Sequence, residues 1–153
     1  PTKECTCQPF AINRYFSRIS GPLLDRIDMH IEVVPVPLSE INGEQVEESS
    51  ASIRQRVIAA REIQLRRFEG LDIHCNAMMN SAMLRKFAAL DKVCATLLES
   101  AMERLNLSAR AYDRIIKVAR TIADLEAKES IEPQHITEAI GFRSLDRDTW
   151  GRR

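Results

Sequence analysis

Residues 107–126 read LSARAYDRIIKVARTIADLE. Apolar side chains at Tyr112, Ile115, Ile116, Val118, Ala119, Ile122, Ala123 and Leu125 recur at helical spacing, which predicts one long amphipathic helix. Ser108 stands where an N-cap belongs. Arg110 then falls in the first turn, at the positive end of the helix dipole, where a cation is mildly disfavoured. Two readings fit. Either Arg110 is an ordinary surface arginine, or its guanidinium and the free amides of the first turn together make an anion site.

The same spacing recurs on both sides of this helix. Residues 51–69, ASIRQRVIAAREIQLRRFE, carry a stripe of Ile53, Val57, Ile58, Ala60, Ile63, Leu65 and Phe68, with Ser49 or Ser50 as cap and Gly70 as stop. Arg54, Arg56, Arg61, Arg66 and Arg67 fill its other positions, either as a nucleic-acid patch or as a solvated face shared with Glu62 and Glu69. The stretch GLDIHCNAMM is irregular. Residues 80–88, capped by Asn80 or Ser81, and 91–105, capped by Asp91 and stopped at Asn106, give two more helices. Pro133 opens another at PQHITEAIGFR, since proline suits a first turn. The tail SLDRDTWGRR is expected to be loose, with Trp150 a docking candidate.

Towards the N-terminus the pattern changes. Residues 8–19, QPFAINRYFSRI, predict a short helix that Gly21-Pro22 breaks, and residues 22–27 have room for one turn. Residues 28–34, DMHIEVV, alternate apolar and polar side chains as a strand does. The following PVPLSEINGEQVEES is a linker by composition. The fold class expected is therefore mainly α: the end of a truncated α/β core, one helix and one strand, followed by an all-helical bundle of about four or five helices. The boundaries are 1–34, 35–48 and 49–153. A lone strand needs a sheet, so most of that core is expected upstream. Pro1 is not a natural start, which agrees.

Composition excludes several classes. The chain has 153 residues, 44% hydrophobic and 29% charged, as a soluble globular protein has. Lys and Arg total 22, as do Asp and Glu, so the chain as a whole gives no electrostatic case for binding nucleic acid. No run approaches the roughly 18 apolar residues of a membrane span, and no signal peptide is visible. Four cysteines with no framework spacing point to the cytosol. Cys5 and Cys7 form a C-x-C pair, which is either half of a tetrahedral zinc site or two ordinary thiols. There is no phosphate loop, no G-x-S-x-G and no H-E-x-x-H. The histidines at 30, 74 and 135 are scattered, as structural or solvated histidines are.

One other stretch stands above this background. Residues 21–28, GPLLDRID, set Asp25, Arg26 and Asp28 among leucines and isoleucines. A guanidinium in an apolar setting is costly unless an anion meets it. The anion is either a carboxylate of the same cluster, Asp25 or Asp28, or something from outside the chain.

With C-T-C at 5–7, SRISGPLLDRIDMHIEV at 17–33, ESSASIRQRVIAAREIQ at 48–64, LNLSARAYDRIIKVARTIADLE at 105–126 and FRSLDR at 142–147, the chain resembles the C-terminal part of the magnesium-chelatase-like AAA+ ATPases. More narrowly, it resembles their competence-type, branch-migration-helicase-like members. The resemblance implies that residues 1–34 end the ATPase core and residues 49–153 form its helical lid. It matches Arg26 to an arginine finger acting in the neighbouring subunit's site and Asp25 to an acid of the same interface. It matches Arg110 to the second sensor, which contacts the γ-phosphate, and Cys5 and Cys7 to half of a four-cysteine cluster.

The function implied is an ATP-driven DNA motor working as a ring, expected to be a hexamer, with ATP and Mg2+ as cofactors, zinc as a further candidate, and a cytoplasmic location. The alternative is a chelatase-type ATPase that remodels a metal-inserting partner without DNA. A stand-alone helical interaction domain is a third class. The whole protein is expected to hydrolyse ATP, and this piece by itself is not, because the phosphate loop is missing.

Overall fold

The computed structural model describes residues 6–31, 33, 36 and 48–143. Among them seven α-helices form: α1 Pro9–Phe16, α2 Gly21–Leu24, α3 Ser50–Arg67, α4 Ser81–Phe87, α5 Lys92–Leu105, α6 Ala109–Leu125 and α7 Pro133–Gly141. One 3₁₀ turn, Asn76–Met78, lies between α3 and α4. The expected tail, with Trp150, and nearly all of the expected linker lie outside the described residues.

Helices α3 to α6 each start where a side chain satisfies a first-turn amide. The hydroxyl of Ser49 accepts from the Ser52 amide at 3.2 Å, Asn80 Oδ1 from Met83 at 2.9 Å, Asp91 Oδ1 from Cys94 at 2.7 Å, and Ser108 Oγ from Ala111 at 3.3 Å. At α7 the cap runs the other way as well: the Glu132 amide donates to Nδ1 of His135 at 2.9 Å. Asn106 ends α5 in the left-handed region, φ 49°, and Gly70 leaves the α3 end at φ 77°, a conformation glycine adopts without strain.

Helix α6 is the centre. Ala111, Ile115, Ile116, Ala119, Ile122 and Ala123 are buried along one side, and α3, α4, α7 and the 3₁₀ turn pack around it, while α5 closes against α7. The core joins these to Phe68, Met79, Leu84, Cys94, Leu98 and Ile136. Helix α3 meets this core only through its second half. Ala60, Gln64 and Phe68 are buried, whereas no residue before Ala60 is, and Ile53 and Val57 carry the same stripe out into solvent.

A buried polar knot sits between α3 and α6. Asp124, fully buried, accepts from Arg67 Nη1 at 2.7 Å, Asn76 Nδ2 at 2.8 Å and Arg120 Nε at 3.1 Å. Arg120, 2% exposed, spends its remaining donors on the carbonyls of Lys128 and Glu129. Burial alone would push the Asp124 carboxyl up. The hydrogen bonds from Arg67 and Asn76, with the charges of Arg67 and Arg120, outweigh it and hold the group below the ordinary aspartate value. So Arg67 stands apart from the other α3 arginines; Arg54, Arg56, Arg61 and Arg66 are exposed.

The strand expected over 28–34 does not form among its described residues, 28–31 and 33. The alternation is real: His30 is buried at 6% exposure while Met29, Ile31 and Val33 face out. What is missing is a ladder. The His30 amide donates instead to the Phe142 carbonyl at 2.7 Å, so this segment lies against the end of α7. No helix of the described residues is long and apolar enough to cross a membrane.

Candidate functional site

The loop that follows α2 is built from successive tight turns. Leu23 and Leu24 donate to the Ser20 carbonyl, Arg26 to Leu23 and Ile27 to Leu24, each near 3.0 Å. Leu24 is the apolar anchor, with 9% exposure. This winding turns Arg26 outward. Its side chain is exposed, and Nη1 donates to the Pro22 carbonyl at 3.1 Å. Asp25 beside it is half-buried. Of the two carboxylates offered as its partner, Asp25 and Asp28, Asp28 is instead paired with Arg114 of α6.

Two further links fix the same loop. The guanidinium of Arg143, fully buried just after α7, donates through Nη1 to the Ile27 carbonyl, and the His30 amide bonds to Phe142. The loop carrying Arg26 is therefore fastened to α6 and to the end of α7. No sequence signal marked Arg114 or Arg143 for this task, because each looks like a surface cation until its distant partner is known.

Arg110 stands in the first turn of α6, exposed, one helical turn before Arg114. No hydrogen bond or ion pair engages its guanidinium among the described residues. Between α4 and α6 lies an open cleft of about 390 Å³ lined by Ser81, Leu84, Arg85, Tyr112, Asp113 and Ile116 among others; Arg110 does not line it. Ser81 Oγ donates to Asp113 Oδ2 across it at 2.8 Å. Arg26 and Arg110 are thus on surfaces joined through one ion pair, each open to an anion.

Cys5 lies outside the described residues, Cys7 is exposed, and the described residues hold no group of three or more His, Cys, Asp or Glu placed to bind a metal. His135 is structural: fully buried, it accepts the Glu132 amide at Nδ1, so Nε2 carries the proton that it shares with Glu126 at 3.0 Å.

Comparison with known proteins bears on both halves. Residues 47–143 match the family model described as magnesium chelatase, subunit ChlI C-terminal, and residues 1–41 match that described as magnesium chelatase, subunit ChlI. The competence protein ComM of Haemophilus influenzae is 42% identical over 140 residues, 91% of this chain and 27% of that protein. The uncharacterized protein YifB of Escherichia coli is 43% identical over 143 residues, 92% of this chain and 27% of that protein. The uncharacterized protein Rv2897c of Mycobacterium tuberculosis is 30% identical over 141 residues, 92% and 28% respectively. The chain spans about a quarter of the length of these curated relatives.

Proposed function

Because the chain belongs to the magnesium chelatase ChlI C-terminal family, we propose that it forms the lid and the arginine-bearing core end of an AAA+ ATPase that works as a ring, a hexamer. The observation that carries this reading is Arg26: a guanidinium turned out to solvent on a loop fastened to the helix that bears Arg110. Residues 1–34 are the core end, 35–48 the linker and 49–153 the lid. The exposure of Phe10, Tyr15, Ile31 and Val33 supports this division, since these side chains suit a core interior whose other wall lies elsewhere in the protein.

ATP with Mg2+ supplies a γ-phosphoryl group whose oxygens bear the charge of transfer. Arg26 reaches into the adjoining subunit's site, where its planar fork holds two phosphate oxygens at once. Asp25 contributes an acid to the same interface. Arg110 and the first-turn amides of α6 hold phosphate within the subunit. Both arginines fit a phosphate because each presents its guanidinium to solvent with no carboxylate neutralising it among the described residues. Cys5 and Cys7 supply at most two thiolates of a zinc site, and nothing in this mechanism passes through zinc.

The work done with ATP is movement on DNA, by branch migration or helicase action, in the cytoplasm. A relative named for competence favours this over remodelling of a metal-inserting partner; the family's chelatase description favours the latter. Turnover by the full-length protein, with and without forked DNA, separates them. Strong stimulation by DNA is expected. Turnover indifferent to DNA transfers the reading to a chelatase-type partner.

A further inference from the structure

We propose that Asp28 and Arg114 are positioning residues that set Arg26 by the state of the lid, so that a subunit's own nucleotide controls the finger it offers its neighbour. The proposal rests on the roles given above to Arg26 and Arg110.

Residues 27–30 are joined to the bundle by bonds that include Arg143 to the Ile27 carbonyl, Arg114 to Asp28, and the His30 amide to Phe142. They differ in character. The Arg143 side chain is fully buried and the His30 bond is backbone to backbone, so both belong to folding. The Asp28–Arg114 pair is partly open, with side chains 46% and 29% exposed, and so contributes little to stability. It is also the link that reaches the helix carrying Arg110. Asp28 lies two residues beyond Arg26, and Arg114 lies one turn beyond Arg110 on the same face of α6. The partners of the pair are 86 residues apart in the chain, yet they leave a path of one short loop, one ion pair and one helical turn between finger and sensor.

A loop held this way moves with α6. When Arg110 takes hold of phosphate, α6 takes up the position the nucleotide demands, and Asp28 carries the Arg26 backbone with it. A reacting group displaced by about 1 Å can lose about 10²-fold in rate, so a small shift of α6 is enough to switch the neighbour's site.

The test uses the full-length protein. Arg114→Glu places an acid against Asp28, and Asp28→Arg combined with it restores an opposite pair in reversed order. Arg114→Glu is expected to lower kcat by about 10- to 100-fold with KM and nucleotide affinity within about twofold of the parent. The thermal midpoint stays unchanged. In nucleotide-free protein, peptides covering residues 25–31 exchange amide hydrogens faster while those of α6 do not. The double variant recovers most of the lost kcat and the slower exchange. The proposal is overturned if Arg114→Glu leaves kcat and loop exchange unchanged, if the loss comes with a lowered midpoint, or if the double variant recovers nothing. Arg114→Gln, which removes the charge without adding repulsion, gives the same answer should the reversal fail to fold. Arg26→Ala, measured in parallel, keeps the two readings apart. If it leaves turnover intact, the finger role itself is wrong. If it abolishes turnover while Arg114→Glu does not, only the coupling fails.

Discussion

At Arg26 the folded chain spends almost nothing: the guanidinium stays hydrated, and one hydrogen bond to Pro22 sets its direction. Truncating it therefore tests chemistry with little disturbance of the fold. In the full-length protein Arg26→Ala is expected to cut ATP turnover by about 10³-fold or more while nucleotide binding persists, as with arginine fingers elsewhere. An unchanged rate would sink the assignment. Arg110→Ala acts within the subunit, so binding, turnover or both should weaken, and unaltered kinetics would return Arg110 to an ordinary surface role. Asp124 is the opposite kind of residue. Its removal leaves Arg120 buried with no counter-charge, and Asp124→Ala should cost about 3–5 kcal/mol in urea unfolding. A loss below about 1 kcal/mol would mean that water reaches the knot. Because its folded pKa is depressed, Asp124 contributes stability that is complete above the ordinary aspartate value of 3.8 and is lost as pH falls through the folded pKa. The Asp124→Asn variant should lack that part of the acid-induced decline in thermal midpoint. The Arg120–Asp124 pair is local, at i and i+4, but the Arg67 half of the knot is not. Arg67 read like the other arginines of its helix, since its partner lies 57 residues away.

Among the elements, those whose signals are local could be read directly. The caps at Asp91 and Ser108 and the stop at Asn106 are each set by a few neighbouring atoms and are carried by the sequence; of the paired candidates, Ser49 and Asn80 are the ones that cap. Ser108→Ala should destabilise the bundle by about 1 kcal/mol, because α6 is the helix on which the others pack. It should also weaken nucleotide binding, through fraying of the turn that carries Arg110. A midpoint of unfolding equal to the parent's would show that packing alone holds that first turn. The strand expected over 28–34 does not form among its described residues, 28–31 and 33. Alternation reports that two faces differ; it does not supply hydrogen-bonding partners. Here the buried side of the alternation is the polar one, His30, and the apolar side is left facing out. The site divides in the same way: D-R-x-D and the first-turn Arg110 were legible, whereas the pairing of Asp28 with Arg114 needed the fold.

For the molecule as a whole, the mainly helical class followed from spacing alone, while the contacts that tie residues 24–30 onto the bundle did not. This chain by itself should hydrolyse no ATP, since it contains no phosphate loop, and tight stoichiometric ATP binding by it would count against the division into core end and lid. The partial seating of α3 has a mechanical meaning too. An 18-residue helix is roughly 27 Å long, and the ten residues before Ala60 make up roughly 15 Å of it. Anchored at one end in the bundle, that length is a lever arm. On the proposed reading, in which Arg110 holds nucleotide, a swing of the bundle through about 10° would carry the tip near Ser50 through about 3 Å.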